Sequence, residues 1–223
     1  MVSVGGQPLV VHSMRAALVC RDVTEVVVVA PAGHGEQMRE VVHEDGLPDA
    51  VSVSVVEGGA ERVDSVAIGV ARLSAYVGIV LVHDAARALA PVEVFDAVVG
   101  AVRAGHSAVV PVVPVTDTIK QVGPARRREP VEPDRPTAGV GEVVLRTIER
   151  ADLRIAQTPQ GFLRETLLHA HAAARAEAAS TDDAAMVEAL GGTVFTVAGD
   201  HRSLKITTAH DLAVAEMLLA GAP

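Results

Sequence analysis

The chain has 223 residues and a formal net charge of −9, with three Phe, one Tyr and no Trp. That length suits one α/β domain around an aliphatic core, and an acidic balance with no basic, aromatic-studded face excludes a nucleic-acid-binding protein. One cysteine, Cys20, excludes an internal disulfide and fits a reducing cytoplasm; no apolar run reaches membrane-spanning length, and the first residues do not read as a signal peptide.

In chain order, residues 1–6 form a short entry with a Gly5-Gly6 turn. Residues 8–19 have helical spacing, with Leu9, Val10, Met14, Ala17 and Leu18 on one side and Pro8 in the first turn. Strands are predicted at 25–30, 50–56, 77–82 and 107–113, and helices at 35–43, 63–73 and 91–103. This alternation indicates a mostly parallel sheet with helices on both faces. It then stops. Residues 123–142 hold four Pro, several Gly and the run Arg126-Arg127-Arg128, which reads as a solvated loop or the tip of an arm. Residues 142–147 would be the return strand. Residues 165–179 read as a long Ala-rich helix. Thr181-Asp182-Asp183 is an N-cap signature for a helix over 184–190 that Gly191-Gly192 stops. A strand at 193–197 and a helix at 210–219 follow. The expectation is one domain, residues 1–223, with an arm or loop insertion at about 119–147.

The apolar run 77–82 ends in His83-Asp84-Ala85-Ala86-Arg87. In open α/β sheets ligands bind beyond the carboxyl ends of strands. A carboxylate there suits Mg²⁺, a hard cation, and an Arg suits a phosphate; the plainer alternative is an Asp that caps the next turn. Residues 58–65, Gly-Gly-Ala-Glu-Arg-Val-Asp-Ser, follow a strand and open a helix, as an anion-binding loop or as a simple turn would. Residues 114–120 offer Thr116, Asp117, Thr118 and Lys120 after another strand end. Gln157-Thr158-Pro159-Gln160-Gly161-Phe162 sets amides and a hydroxyl on a rigid turn, for ligand recognition or for structure alone. The chain has 17 Arg but only two Lys, Lys120 and Lys205. Lys205 lies between Leu204 and Ile206, where its charge calls for an anion or else snorkels from a strand.

Taken together, Gly-Gly-x-x-Arg-x-x-Ser at 58–65, Val-His-Asp-Ala-Ala-Arg at 82–87, Pro-Val-x-Asp-Thr-x-Lys at 114–120, Gln-Thr-Pro-Gln-x-Phe at 157–162, Thr-Asp-Asp-Ala at 181–184 and Lys-Ile-Thr at 205–207 resemble the 2-C-methyl-D-erythritol 4-phosphate cytidylyltransferases. The resemblance covers nearly all of the chain, with Ala88 where the family usually has Pro. It implies a Rossmann-like nucleotidyltransferase fold, Mg²⁺ as cofactor and a homodimer built with a protruding β-arm. It implies a reaction of CTP with the polyol phosphate of the non-mevalonate isoprenoid pathway, releasing pyrophosphate in the cytoplasm. Carried over by position, Asp84 is the metal and substrate carboxylate, and Gly59, Ala60, Ser65 and Ala85 contact the nucleotide. Arg87, Thr118, Arg150, Thr158 and Lys205 contact the polyol phosphate, and Arg150 and Lys205 orient its attacking group. Thr118 and Arg150 would serve the neighbouring subunit's site. The alternatives are a related enzyme acting on ribitol phosphate, or a non-catalytic dimeric homologue that keeps the polyol-phosphate pocket.

Before the segment matching residues 4–9, the family pattern has a central strand, a loop like Ala-Ala-Gly-x-Gly-x-Arg and a Pro-Lys. The sequence starts after that point. The expectation is that residues 1–223 alone show no measurable cytidylyl transfer, bind CTP weakly and leave two strand edges uncovered.

Overall fold

A computed structural model of the chain describes residues 1–44, 51–124, 142–174 and 182–221. It divides into two compact units, Met1–Val113 with Ala156–Pro223, and Pro114–Ile155.

The first unit opens with two-residue strands β1 (Ser3–Val4) and β2 (Gln7–Pro8), paired antiparallel. The turn between them needs positive φ at two successive positions, 56° and 76°, which Gly5 and Gly6 adopt without steric cost. Pro8, which has no N–H to leave unpaired, is the N-cap of α1 (Leu9–Val19). Then come β3 (Glu25–Ala30), α2 (Gly35–Glu44), β4 (Ser52–Glu57), α3 (Arg62–Arg72), β5 (Ile79–Val82), α4 (Val92–Arg103) and β6 (Ala108–Pro114). The second unit holds β7 (Ile119–Pro124) and β8 (Glu142–Ile148), an antiparallel hairpin whose register shifts between Gln121 and Val122. The short β9 (Arg154–Ala156) leads back. It is followed by β10 (Gln160–Leu163), α5 (Arg164–Ala174), α6 (Asp183–Ala189), β11 (Phe195–Ala198), a 3₁₀ turn (His201–Ser203) and α7 (Ala209–Ala220).

The larger sheet runs β11–β6–β10–β5. β5 is apolar along its length because both its faces are covered. Val80 joins Val110, Phe162 and Leu167 of α5 in one cluster, and Ile79 and Leu81 pack with Val98 and Val102 of α4 in another. The predicted α/β class and its helices stand. The sheet is more mixed than the alternation implies, because β10 runs antiparallel to both β5 and β6, between them. The stretch 157–162 reads as a turn, yet its second half is this buried strand. Gly161 makes the crossing of α4 possible: a Cβ there would collide with Val98.

β3 and β4 form a separate parallel pair. β3 and β5 both line one apolar cleft of about 770 Å³. Among the described residues β3 pairs with β4 alone and β5 with β10 alone, which gives two uncovered strand edges of the kind expected above. Among the described residues no helix is long and apolar enough to cross a membrane. Residue 50 of the predicted strand, the Arg126–Arg128 run, residues 175–179 of the predicted helix and Thr181 lie outside the described residues.

Candidate functional site

Where the apolar run of β5 ends, the chain leaves the sheet as the turn His83–Arg87. Four bonds hold that turn. The Asp84 amide donates to Thr158 Oγ1 at 3.0 Å, and the Arg87 amide donates back to the Asp84 carbonyl at 2.8 Å. Ser13 of α1 donates to the Ala85 carbonyl at 2.9 Å, and the Ile206 amide donates to the Ala86 carbonyl at 2.8 Å. Ile206 is buried and Leu204 packs in the same cluster, so the residue between them is left to project. This is the physical sense of Leu-Lys-Ile. The segment is an irregular link between the 3₁₀ turn and α7 rather than a strand.

Asp84 Oδ2 lies 3.0 Å from Lys205 Nζ and 3.8 Å from Arg87 Nε, with the Asp, Lys and Arg side chains 20%, 50% and 13% exposed, respectively. A pair as wet as Asp84 and Lys205 contributes little to folding. It does place a carboxylate and an ammonium together at a cleft, where an anion and a cation can insert. Arg87 behaves differently. Its Nη1 donates to the Ser203 carbonyl at 2.7 Å and its Nη2 to the Ala156 carbonyl at 3.3 Å. The fork expected to hold a phosphate is used instead to clasp the backbone just before Lys205.

His83 is buried against the Phe95 ring, 5.1 Å between centroids, with Nδ1 3.0 Å from Thr158 Oγ1. Burial pushes its pKa down to about 4, and the neighbouring Asp84 charge opposes this only in part. The ring is therefore neutral near pH 7 and is no proton reservoir for the site. Thr158, buried, has its hydroxyl engaged by His83 and the Asp84 amide.

The glycine loop sits at the start of α3. The Gly58 amide donates to the Ala30 carbonyl at 2.8 Å, joining the loop to the end of β3. The Gly59 amide donates to Ser65 Oγ, and Ser65 Oγ donates to the Glu61 carbonyl, both at 3.1 Å. Glu61, the N-cap, makes no side-chain bond to the first turn, so the opening amides of α3 carry no internal cap. Arg62, Ser65, His83, Asp84 and Ala85 line the cleft together. Ala60 is exposed beside them.

Thr118 and Arg150 belong to the second unit. There the Arg150 guanidinium donates to the Thr116 carbonyl, Lys120 Nζ donates to Thr147 Oγ1 at 2.7 Å, and Thr118 is exposed. Of the sequence-predicted residues, Asp84, Ala85, Arg87, Thr158 and Lys205 are thus neighbours around one turn, Ser65 shares their cleft, and Gly59 and Ala60 precede Ser65 on its loop.

One group escapes the sequence. Asp183 is fully buried, with Oδ1 2.8 Å from His171 Nε2 and Oδ2 2.7 Å from Arg62 Nη2. Burial alone would raise its carboxyl; the His171 and Arg62 partners outweigh this and hold it below its ordinary value. The sequence signal was a second carboxylate, one more than an N-cap needs: Asp182 is the cap, accepting from the Ala185 amide at 2.8 Å.

Among the described residues no three His, Cys, Asp or Glu side chains come together as a metal cluster. Asp84 is a single carboxylate on a cleft wall. That suits Mg²⁺, which keeps several waters and is bound through one or two carboxylates plus substrate phosphates.

Residues 1–221 match the family model described as IspD, 2-C-methyl-D-erythritol 4-phosphate cytidylyltransferase. The Streptomyces coelicolor 2-C-methyl-D-erythritol 4-phosphate cytidylyltransferase is 46% identical over 218 residues, covering 98% of this chain and 76% of the relative. The Streptomyces avermitilis protein of the same name is 44% identical over 218 residues, covering 98% and 82%. The Thermus thermophilus cytidylyltransferase structure superposes with a TM-score of 0.74 at 34% identity, covering 98% of this chain and 91% of that one.

Proposed function

The chain belongs to the 2-C-methyl-D-erythritol 4-phosphate cytidylyltransferase family, and we propose that its Asp84 cleft is where a cytidylyl group passes from CTP to 2-C-methyl-D-erythritol 4-phosphate. The reaction gives 4-diphosphocytidyl-2-C-methyl-D-erythritol and pyrophosphate. A phosphate oxygen of the polyol phosphate attacks the α-phosphorus of CTP. A new P–O bond forms in line as the bond to the β-phosphate's bridging oxygen breaks, and pyrophosphate leaves with that electron pair. No protein atom becomes covalently attached, so the residues have to position two anions and offset their charge.

The observation that carries this reading is the Asp84–Lys205 pair, 3.0 Å apart at the carboxyl end of β5. Lys205 is the exposed cation of the pair and would hold the attacking phosphate. Arg87, clasping the Ser203 and Ala156 carbonyls, would keep Lys205 opposite Asp84 and add its own charge. Asp84 would hold Mg²⁺, which when bound supplies charge neutralisation on the triphosphate. Gly59, Ala60, Ser65 and Ala85 would receive the nucleotide at the mouth of the same cleft. Two copies would associate through the β7–β8 hairpin, whose Val143, Val144 and Leu145 are exposed apolar side chains. Thr118 and Arg150 would then complete the partner's site.

The test is pyrophosphate release from CTP and 2-C-methyl-D-erythritol 4-phosphate with Mg²⁺, wild type against Asp84→Asn. Wild-type release that the substitution abolishes, with thermal unfolding unchanged, is the expected result. Equal release from the two proteins would refute the assignment of Asp84. Release with ribitol phosphate in place of the methylerythritol phosphate would redirect the substrate.

A further inference from the structure

We propose that Asp183 is a positioning residue for the nucleotide loop, acting through Arg62. It rests on the functional reading above for the identity of the ligand. Arg62 is the first residue of α3, directly after the loop Gly58–Glu61. Its guanidinium is 37% exposed and lines the cleft with Ser65, Asp84 and Ala85. Asp183 is 0% exposed and lies on α6, far along the chain. A long cationic side chain at a cleft mouth has many rotamers, and each ordered one carries an entropic cost. An ionised carboxylate with no exposure, 2.7 Å from Nη2, selects one of them.

The carboxylate is itself fixed from three directions. His171 of α5 meets its other oxygen at 2.8 Å. The preceding residue, Asp182, accepts from Gln160 Nε2 at 2.9 Å, and the following amide, Ala184, donates to Gln160 Oε1 at 3.2 Å. Gln160 stands opposite Val82 in the β10–β5 ladder. The loop that would receive the nucleotide is thereby referenced to the same strand end that carries Asp84. Simple helix-to-helix glue would not need its cation at the cleft. Arg62 is the one member of the group that lines the cleft, and it stands three residues from Ser65.

The test uses the full chain with Asp183→Asn, Arg62→Gln and the double variant. Asn keeps the shape and removes the charge. Asp183→Asn should raise the KM for CTP about tenfold, the size of one lost charge-assisted hydrogen bond. The KM for 2-C-methyl-D-erythritol 4-phosphate and kcat should stay within about twofold. Arg62→Gln should give the same split, and the double variant should be no worse than Arg62→Gln, because the two residues act in series. Hydrogen exchange without any nucleotide should show the Gly59 and Ser65 amides exchanging faster in each variant, with β4 amides unchanged. Equal rises in both KM values, or unchanged loop exchange, would overturn the proposal. If Asp183→Asn does not fold, the partly exposed Arg62→Gln decides on the same two readouts. A wild type with no transferase activity would count against the functional reading; the exchange arm would still decide whether Asp183 orders the loop.

Discussion

Replacing Thr158 with Val removes one hydroxyl, keeps the side-chain volume and leaves two buried polar groups without their partner. The Asp84 amide donates to Thr158 Oγ1 at 3.0 Å, and His83 Nδ1 lies 3.0 Å from the same oxygen. Thr158 is 5% exposed, so water cannot easily stand in for it. Leaving a buried donor or acceptor unsatisfied costs about 1–3 kcal/mol, so two such groups predict a loss of roughly 2–4 kcal/mol for Thr158→Val. Val adds no cavity, which keeps packing out of the comparison. Urea unfolding with linear extrapolation reads the loss as a lower midpoint at unchanged slope. Thr158→Ser, which keeps the hydroxyl and deletes a methyl, should lose about 1 kcal/mol or less. If Thr158 served only to touch substrate, Val would raise the polyol-phosphate KM and leave the unfolding midpoint in place. That result, or a serine variant as unstable as the valine one, would refute the argument.

Two further outcomes follow from charge. The folded-state pKa of His83 is about 4 against an ordinary 6.5, so below pH 6.5 the unfolded chain takes up a proton that the folded chain refuses. Stability should therefore fall as pH drops from about 6.5 towards 4, by roughly 3 kcal/mol from this group, and His83→Asn, measured in chelator, should lack that increment; parallel wild-type and variant profiles would contradict it. If the hairpin completes a partner's site, Arg150→Ala and Asp84→Ala homodimers should each be inactive while mixed dimers regain about one working site of two, because both lesions then fall in one site. No recovery on mixing would place the role of Arg150 within its own subunit.

The elements with a strong period were legible. The apolar runs of β3, β5 and β6 and the helices α3, α4 and α7 stand within two residues of their predicted bounds, because burial on both faces leaves a continuous apolar signal. Asp84 and Lys205 were legible for a related reason: each is a charge at the end of, or inside, an aliphatic pattern that does not call for one. The antiparallel entry of β10 was not legible, since Gln-Gly-Phe-Leu has neither alternation nor length, and its place between β5 and β6 is decided by partners far apart in sequence. The pairing of Arg62 with Asp183 was invisible for the same reason: 121 positions separate a helix-opening Arg from a buried carboxylate whose neighbour already explained the cap. The clasping role of Arg87 depends on two backbone carbonyls, which no side-chain pattern encodes.

Residues 157–160 show how a correct reading of residue type can miss the ligand. Two amides and a hydroxyl at a rigid turn do recognise something, but what they bind is this protein's own backbone and side chains. Gln157 Nε2 donates to the Asp200 carbonyl at 2.9 Å and its Oε1 accepts from the Asp200 amide at 3.1 Å, fixing the 3₁₀ turn that leads to Lys205. Thr158 holds the Asp84 amide, and Gln160 holds Asp182 and Ala184 on either side of Asp183. Three loops distant in sequence, carrying Lys205, Asp84 and the carboxylate behind Arg62, are thus registered to one short segment. Each of these three side chains is buried, so each bond is made in a medium where an unmade one is costly, and the segment tolerates little error. Phosphoryl transfer gains its rate from charges held in place before the substrates arrive. In this fold the holding is done one layer beneath the charges, by residues that look from their sequence like ligand contacts.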